Sequence, residues 1–435
     1  MNQISRKMGF WSVFALVTGS QIGSGVFMLP VGLAPFGAYG IMGWLLSGLG
    51  AITLALVFAQ LCAWFPKTGG PHVYINEAFG RSAAFFAGWT YWVISWISTT
   101  VVIIASVGYL TPLIGSNSPL VNILLEIILI VLVTLLNSRG VTVAGHIEFF
   151  LTLLKIIPLC IIPALAFLYF NADNFAISTV AAGLSPSQIL SRVTLLTLWG
   201  FIGLESATTP AESVTNPSKV IPRAIVAGTI CVAILYLINS LAIMGILPSS
   251  ELMLSNAPYA DAARVIFGGS WHLIISIIAS VICLGTLNAW TLTSGQISLG
   301  LAQDNLMPAF FGYKNKYDAP YWGLTISCLG IIPLLILTAN ESLAAQILTI
   351  IDFSVTAFLF IYAMCCCAFF KILLQKSKPL SELKSPLTYG FIALLFCCWV
   401  IYETPFNIIC TASLFTLSGL PFYLYFLARK KRSRF

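Results

Sequence analysis

The chain has 435 residues, of which 59% are apolar and only 8% charged, with a mean hydropathy of +0.96. A soluble domain carries about 25% charged residues, so a water-soluble fold is excluded. The formal net charge of +7 is a determinant of membrane topology rather than a footprint for nucleic acid.

A membrane-crossing helix needs about 20 apolar residues. Stretches of that kind predict about twelve transmembrane helices, at 9–33, 40–65, 84–112, 119–136, 147–170, 191–211, 223–247, 271–302, 321–339, 344–370, 386–403 and 408–428. The first run is too long for a signal-peptide core and no small-residue cleavage site follows it, so it is retained as a mature helix. All of the 21 basic residues except Lys155, Arg192 and Arg264 fall in the amino-terminal segment, in alternate loops or in the tail. Among them are Arg6, Lys67, Arg139, Lys219, Lys314, Lys378 and the run Arg429, Lys430, Lys431, Arg432, Arg434. Lys and Arg are retained on the cytoplasmic side, which predicts both termini there, in an inner (plasma) membrane with the lipid bilayer as partner.

Taken in chain order, the first predicted helix breaks its own pattern at Gly19-Ser20-Gln21-Ile22-Gly23-Ser24-Gly25. The second loop holds Gly69-Gly70-Pro71, His72 and Glu77, the last a solvated carboxylate or helix-end cap if it has no functional part. Trp89, Trp92 and Trp96 repeat at helical spacing in the third span and are read as packing or interface anchors. Lys155 is an ammonium embedded in the fifth span. The sixth span is interrupted at Trp199-Gly200-Phe201-Ile202-Gly203-Leu204-Glu205-Ser206, which adds an acid at membrane depth. Asp352 lies in the tenth span, two residues before Ser354 and therefore on a different face of the helix. Of the 11 cysteines, the run Cys365, Cys366, Cys367 sits near a helix end, where packing is expected over lipidation. No C-x-x-C pair occurs, and His72, His146 and His272 share no metal-ligand spacing. No metal or other cofactor is expected.

Unwinding a membrane helix is costly unless the freed backbone lines a cavity or binds something. Matched interruptions in spans one and six, five apart, predict two inverted five-helix repeats, about 9–170 and 191–370, followed by two extra helices in a single transporter domain. Exposed N–H groups at such breaks suit a carboxylate and exposed C=O groups an ammonium, the two charges of a free amino acid. The structural alternative is that the glycines only let helices pack closely. An ionised Glu205 is expensive in lipid, so it should be protonated, paired or facing water, as a proton sensor or as a structural carboxyl bonded to tyrosine.

These residues resemble the amino acid, polyamine and organocation transporters, and within them the basic amino acid/polyamine antiporters. The matching motifs are Gly23-Ser24-Gly25-Val26-Phe27 with Leu29-Pro30, Trp199 with Phe201-Ile202-Gly203 and Glu205-Ser206, and Asn216-Pro217. Asp261-Ala262-Ala263-Arg264 and Trp290-Thr291-Leu292 with Gly295-Gln296 extend the similarity over nearly the whole chain. The resemblance implies that Ser24 and the Gly25 N–H meet a substrate carboxylate, while the carbonyls of Gln21, Trp199 and Ile202 meet its amino group. It implies stacking of the substrate side chain on Trp290, a polar contact at Ser354, gates at Tyr91, Glu205 and Tyr362, and a further gate at Trp199. Many members carry a lysine at Lys155, where sodium-coupled relatives bind their ion; a lysine that snorkels or pairs with a carboxylate is the alternative.

Where the arginine/agmatine antiporters of this family have asparagine, this chain has Ser20, and their guanidinium contacts on the third helix become Ile94, Ser95 and Thr99. Arginine selectivity is therefore not implied, and lysine, ornithine, a polyamine or a neutral amino acid stays open. Two transport readings follow: exchange of a cationic amino acid for a related amino acid or polyamine, and proton-coupled, sodium-independent symport of a neutral one. Asp352 is open to a role as an anionic contact for a cationic substrate, or to pairing with another helix. Glu77 resembles a position important in polyamine antiporters. The resemblance also points to a homodimer.

Overall fold

The computed structural model describes residues 7–115, 118–178, 181, 183–255, 257–338, 343–376 and 379–425. Arg6, Lys378 and the basic run Arg429, Lys430, Lys431, Arg432 and Arg434 lie outside the described residues, as do the last residues of the final predicted span.

The chain is an all-α membrane protein. In order, the helices are α1 (Phe10–Gln21), α2 (Ser24–Leu33), α3 (Ala38–Trp64), α4 (Pro71–Phe79), α5 (Arg81–Ile114), α6 (Pro119–Asn137), α7 (Val141–Ala166) and α8 (Pro186–Leu198). They continue as α9 (Pro217–Ile246), α10 (Ser249–Leu252), α11 (Pro258–Phe267), α12 (Trp271–Gln303), α13 (Tyr321–Thr338), α14 (Leu343–Gln375), α15 (Leu380–Glu403) and α16 (Phe406–Leu417). Among the described residues, eleven segments are long and apolar enough to cross a membrane, and α13 is a shorter apolar helix at the place of the ninth expected span. Several helices begin earlier than hydropathy predicts. Pro186 and Pro217 each occupy the first helical turn, where a missing N–H costs nothing, so these helices start in polar sequence before the apolar run does, while the helix at Pro119 starts where it is expected.

The first and sixth spans are discontinuous. α1 and α2 are separated at Ile22 and Gly23, and α8 gives way to 3-10 turns at Trp199–Phe201 and Ser206–Thr208. The first, third and sixth spans are the most buried and the fourth and twelfth the least, so the broken helices lie at the centre of the bundle.

Interloop hydrogen bonds show which loops share an end. Gly69 N–H reaches Thr209 O, Arg81 reaches Asn305 O, Asn315 reaches Ser138 O, and Met8 pairs with Val214. At the other end Ser178 N–H reaches Pro35 O, Asn171 N–H reaches Gly245 O, and Ser249 donates to Ala34 O. The described lysines and arginines other than Lys155, Arg192 and Arg264 lie in or beside the loops of the first of these, here the basic end. At the opposite end Gly37 turns the chain with φ +53°, where a Cβ would sit 2.1 Å from Phe175 O, so only glycine fits.

One proline inside a span is compensated by a side chain from a neighbouring helix. Pro163 cannot donate to the Leu159 carbonyl four residues earlier, and the Asn239 side chain of α9 does so instead at 2.9 Å.

Candidate functional site

The carboxyl end of α1 carries carbonyls with no helical partner, and the helix dipole makes that end negative. Side chains from three helices answer it. Lys155 of α7 donates to Gly19 O at 2.8 Å and to the Thr286 hydroxyl at 3.1 Å. Thr286 of α12 bonds Ile22 O at 2.6 Å and Gly19 O at 3.0 Å. Trp290 Nε1 donates to Ser20 O at 3.1 Å, and the Tyr236 hydroxyl of α9 to Gln21 O at 2.5 Å. On the other side of the break α2 begins at Ser24 with no side-chain cap, so its first N–H groups face the gap unclaimed by any cap.

In the sixth span Ile202 is extended and Gly203 takes φ +106°, a left-handed conformation that a Cβ would strain while meeting Ser20 Oγ at 2.8 Å. The two breaks are tied by Ser20, whose Oγ lies 3.0 Å from Gly203 O and 2.9 Å from Ser206 Oγ. The residue that departs from the arginine-exchanging pattern therefore serves to join the broken helices.

Between the breaks is a cavity of about 20 Å³, lined by Gln21, Ser24, Gly25, Trp199, Ile202 and Trp290, all expected at the site, and by Ser20, Gly23, Ser98, Val102 and Thr286. A single water needs at least about 10–15 Å³, so this space is far too small for an amino acid and the conformation is occluded. Ser24 Oγ and Gln21 Oε1 are buried without a hydrogen-bond partner among the described residues. Trp199 lies against Gly25, whose Cβ would come within 3.3 Å of the indole.

Three expected site residues do not line the cavity. Ser95 and Thr99 turn their hydroxyls back to the carbonyls of Trp92 and Trp96, and Ser354 is buried without a hydrogen-bond partner among the described residues. The wall from α5 is Ser98 and Val102, which lie seven and eleven residues beyond Tyr91 on one helical stripe. That spacing was the available signal for them; Thr286 and Tyr236 left none, because their role depends on the approach of α12 and α9.

Toward the basic end, Glu205 is fully buried and accepts hydrogen bonds from Tyr91 at Oε1, 2.9 Å, and from Tyr362 at Oε2, 2.5 Å. Phe358 bridges this group to the cavity, its ring 5.5 Å from Trp290, 5.9 Å from Tyr91 and 6.2 Å from Tyr362. Lys155 does not snorkel: it is fully buried, 3.4 Å from Glu148, whose other oxygen accepts from Asn288 at 2.9 Å.

His72, which carries no site signal in the sequence, is buried with Nε2 3.0 Å from Asp304 Oδ2 at the end of α12. The hydrogen bond to His72, followed by the nearby charges of His72, Lys67 and Arg81, holds the Asp304 carboxyl below its ordinary value of 3.8 against the effect of burial. Glu77 pairs at 3.5 Å with the exposed Lys67. Asp352 pairs with Arg192 of α8 at 2.7 Å, the interhelical alternative. Cys365 and Cys366 are buried, as packing requires, and Trp89, Trp92 and Trp96 stack edge to face at 5.5 and 6.2 Å.

The family model for amino acid permeases matches residues 8–428. The putrescine transporter PotE of Haemophilus influenzae is 31% identical over 425 residues, covering 97% of this chain and 98% of that protein. PotE of Escherichia coli is 28% identical over 420 residues, 96% of each chain. The cadaverine/lysine antiporter of Escherichia coli is 30% identical over 337 residues, 77% of this chain and 75% of the relative.

Proposed function

The chain belongs to the amino acid permease family and is a transporter of amino acids or polyamines, not an enzyme, and from that premise we propose that it exchanges a cationic amino acid for a related amino acid or diamine. The observation that carries the reading is the stack of Trp290, Phe358, Tyr362 and Glu205 directly on the basic-end side of the cavity between the two broken helices. A cationic side chain bound against the Trp290 face gains about 0.5–2 kcal/mol from the ring quadrupole. The α2 N–H groups and Ser24 receive the substrate carboxylate, and the carbonyls of Gln21, Trp199 and Ile202 its ammonium.

In this reading Trp199 closes the site from the opposite end, and Tyr91, Glu205 and Tyr362 close it from the basic end, which faces the cytoplasm with both termini. Ser95, Thr99 and Ser354 join the substrate when the cavity widens. The two five-helix halves rock about the central site. Lys155 fills the position of a coupling cation, so exchange is independent of sodium. The names of the relatives, which act on putrescine and on cadaverine and lysine, favour cationic cargo over a neutral amino acid.

The test is uptake of labelled lysine, ornithine, arginine and leucine into proteoliposomes with and without unlabelled diamine inside. Trans-stimulation restricted to cationic substrates is the expected result. Uptake of leucine that ignores the internal solution and acidifies the lumen would replace exchange with proton-coupled symport.

A further inference from the structure

Away from the central site, at the end opposite the basic loops, lies a cavity of about 400 Å³. Ligand pockets span roughly 300–1,000 Å³, so this one has room for an amino acid where the occluded central cavity has none. Its apolar wall is Phe36, Leu184, Leu195, Val400 and Pro405, and its polar groups are Gln188, Ser191, Arg192, Glu403 and Thr404. One guanidinium and one carboxylate therefore face the same space.

The position of the cavity follows from helix geometry. Gln188, Arg192, Leu195 and Trp199 succeed one another at intervals of four, three and four residues, a single stripe along α8 and into its 3-10 extension. Arg192 is seven residues from Trp199, about 10 Å of helical rise. Leu196 and Leu348 pack against Gly32 beside this stripe, and the cavity shares no lining residue with the central site while standing on the same helix.

Arg192 spends one bond on Asp352, at 2.7 Å, and a guanidinium has five N–H donors. Glu403, at the end of α15, is in no ion pair among the described residues. One unpaired acid and one cation with donors to spare complement a zwitterion. A diamine would need two free anions, and Asp352 is already neutralised.

We propose that this cavity is a second substrate site, selective for the α-amino acid zwitterion, with Arg192 receiving the carboxylate and Glu403 the ammonium. The choice of lysine and cadaverine as probes rests on the cationic exchange reading above. The site gathers the amino acid arriving at this end and does not retain the decarboxylated diamine leaving by it, which lowers the amino acid concentration at which exchange from this end runs at half its maximal rate.

The experiment is equilibrium dialysis of the purified full chain in nanodiscs of phosphatidylcholine and phosphatidylglycerol, with labelled lysine, cadaverine and leucine. Wild type is expected to bind two lysines and one cadaverine per chain. Glu403→Gln should bind one of each, and Trp290→Ala one lysine and no cadaverine. Leu184→Trp, an exposed position that fills the cavity without touching Glu403, should reproduce the Glu403→Gln stoichiometry and guards against a folding artefact. A single lysine unaffected by Glu403→Gln, or two cadaverines, overturns the proposal while leaving cationic exchange standing. Loss of the second lysine when phosphatidylethanolamine replaces phosphatidylcholine assigns the cavity to a lipid headgroup and also overturns it. If neither lysine nor cadaverine binds, the cationic reading fails, and leucine decides the cavity alone: binding lost in Glu403→Gln sustains it, and no binding ends it.

Discussion

The two broken spans solve the same backbone problem by different means. In the first, the freed carbonyls of Gly19, Ser20, Gln21 and Ile22 are held from outside by Lys155, Trp290, Tyr236 and Thr286. In the sixth, the backbone satisfies itself through short-range turns, Leu204 to Phe201, Ser206 to Gly203 and Thr208 to Glu205. Its long-range ties are the Ser20 hydroxyl to Gly203 O and Ser206 Oγ, Gly69 N–H to Thr209 O, and the Glu205 carboxylate between two tyrosines. A break whose carbonyls are clamped by three other helices is a platform; a break whose backbone bonds are mostly its own short turns, tied to the rest by side chains, leaves fewer backbone groups unpaired when it turns. The first should therefore govern stability and the sixth the rate of exchange.

The largest effect should come from breaking the platform. Lys155→Met leaves Glu148 buried without its cation and Gly19 O with the Thr286 hydroxyl alone, a loss of about 3–5 kcal/mol. Thermal unfolding in detergent should show it, and adding Glu148→Gln should restore most of it; an unchanged Tm in the single variant would mean that the ammonium does not hold the break. Gly203→Ala comes next. Strain at a positive φ and the clash with Ser20 cost about 1–3 kcal/mol and should stop exchange more than they lower Tm.

A matched pair of substitutions sharpens the contrast. Glu205→Gln gives one tyrosine an amide donor in place of an acceptor, and a hydrogen bond to a charged group is worth about 1.5–3 kcal/mol. Exchange should fall about tenfold or more, a larger loss than the accompanying drop in Tm accounts for. Tyr236→Phe should do the reverse, costing roughly 1 kcal/mol of stability with a smaller change in rate. Equal effects on both readouts in both variants would erase the distinction.

The smallest effect is expected at the basic end. The carboxyl of Asp304 is lower in the folded protein than in the unfolded chain, so its contribution is complete above the ordinary carboxylate range and is lost as pH falls through the folded value. Because Asp304 is 39% exposed, that contribution is below about 1 kcal/mol. The Tm difference between wild type and Asp304→Asn should be constant from pH 8 to about pH 5 and shrink below about pH 4. A difference that persists at pH 3 would assign the effect to packing.

The sequence by itself determined the all-helical membrane class, because about 20 apolar residues admit no other structure in lipid. It also located both helix breaks and the acid in the second, since runs of glycine with an embedded carboxylate are local signals. Loop charge identified which loops share an end. Other features were decided only by tertiary structure. Ser98 and Val102 rather than Ser95 and Thr99 face the cavity because the rotation of α5 is set by its neighbours. His72 meets Asp304 across 232 positions, and Arg192 meets Asp352 across 160, distances over which no local pattern acts. Composition and spacing fix what a helix is and where it fails; which side chain completes the failed turn depends on which helices the fold brings alongside it.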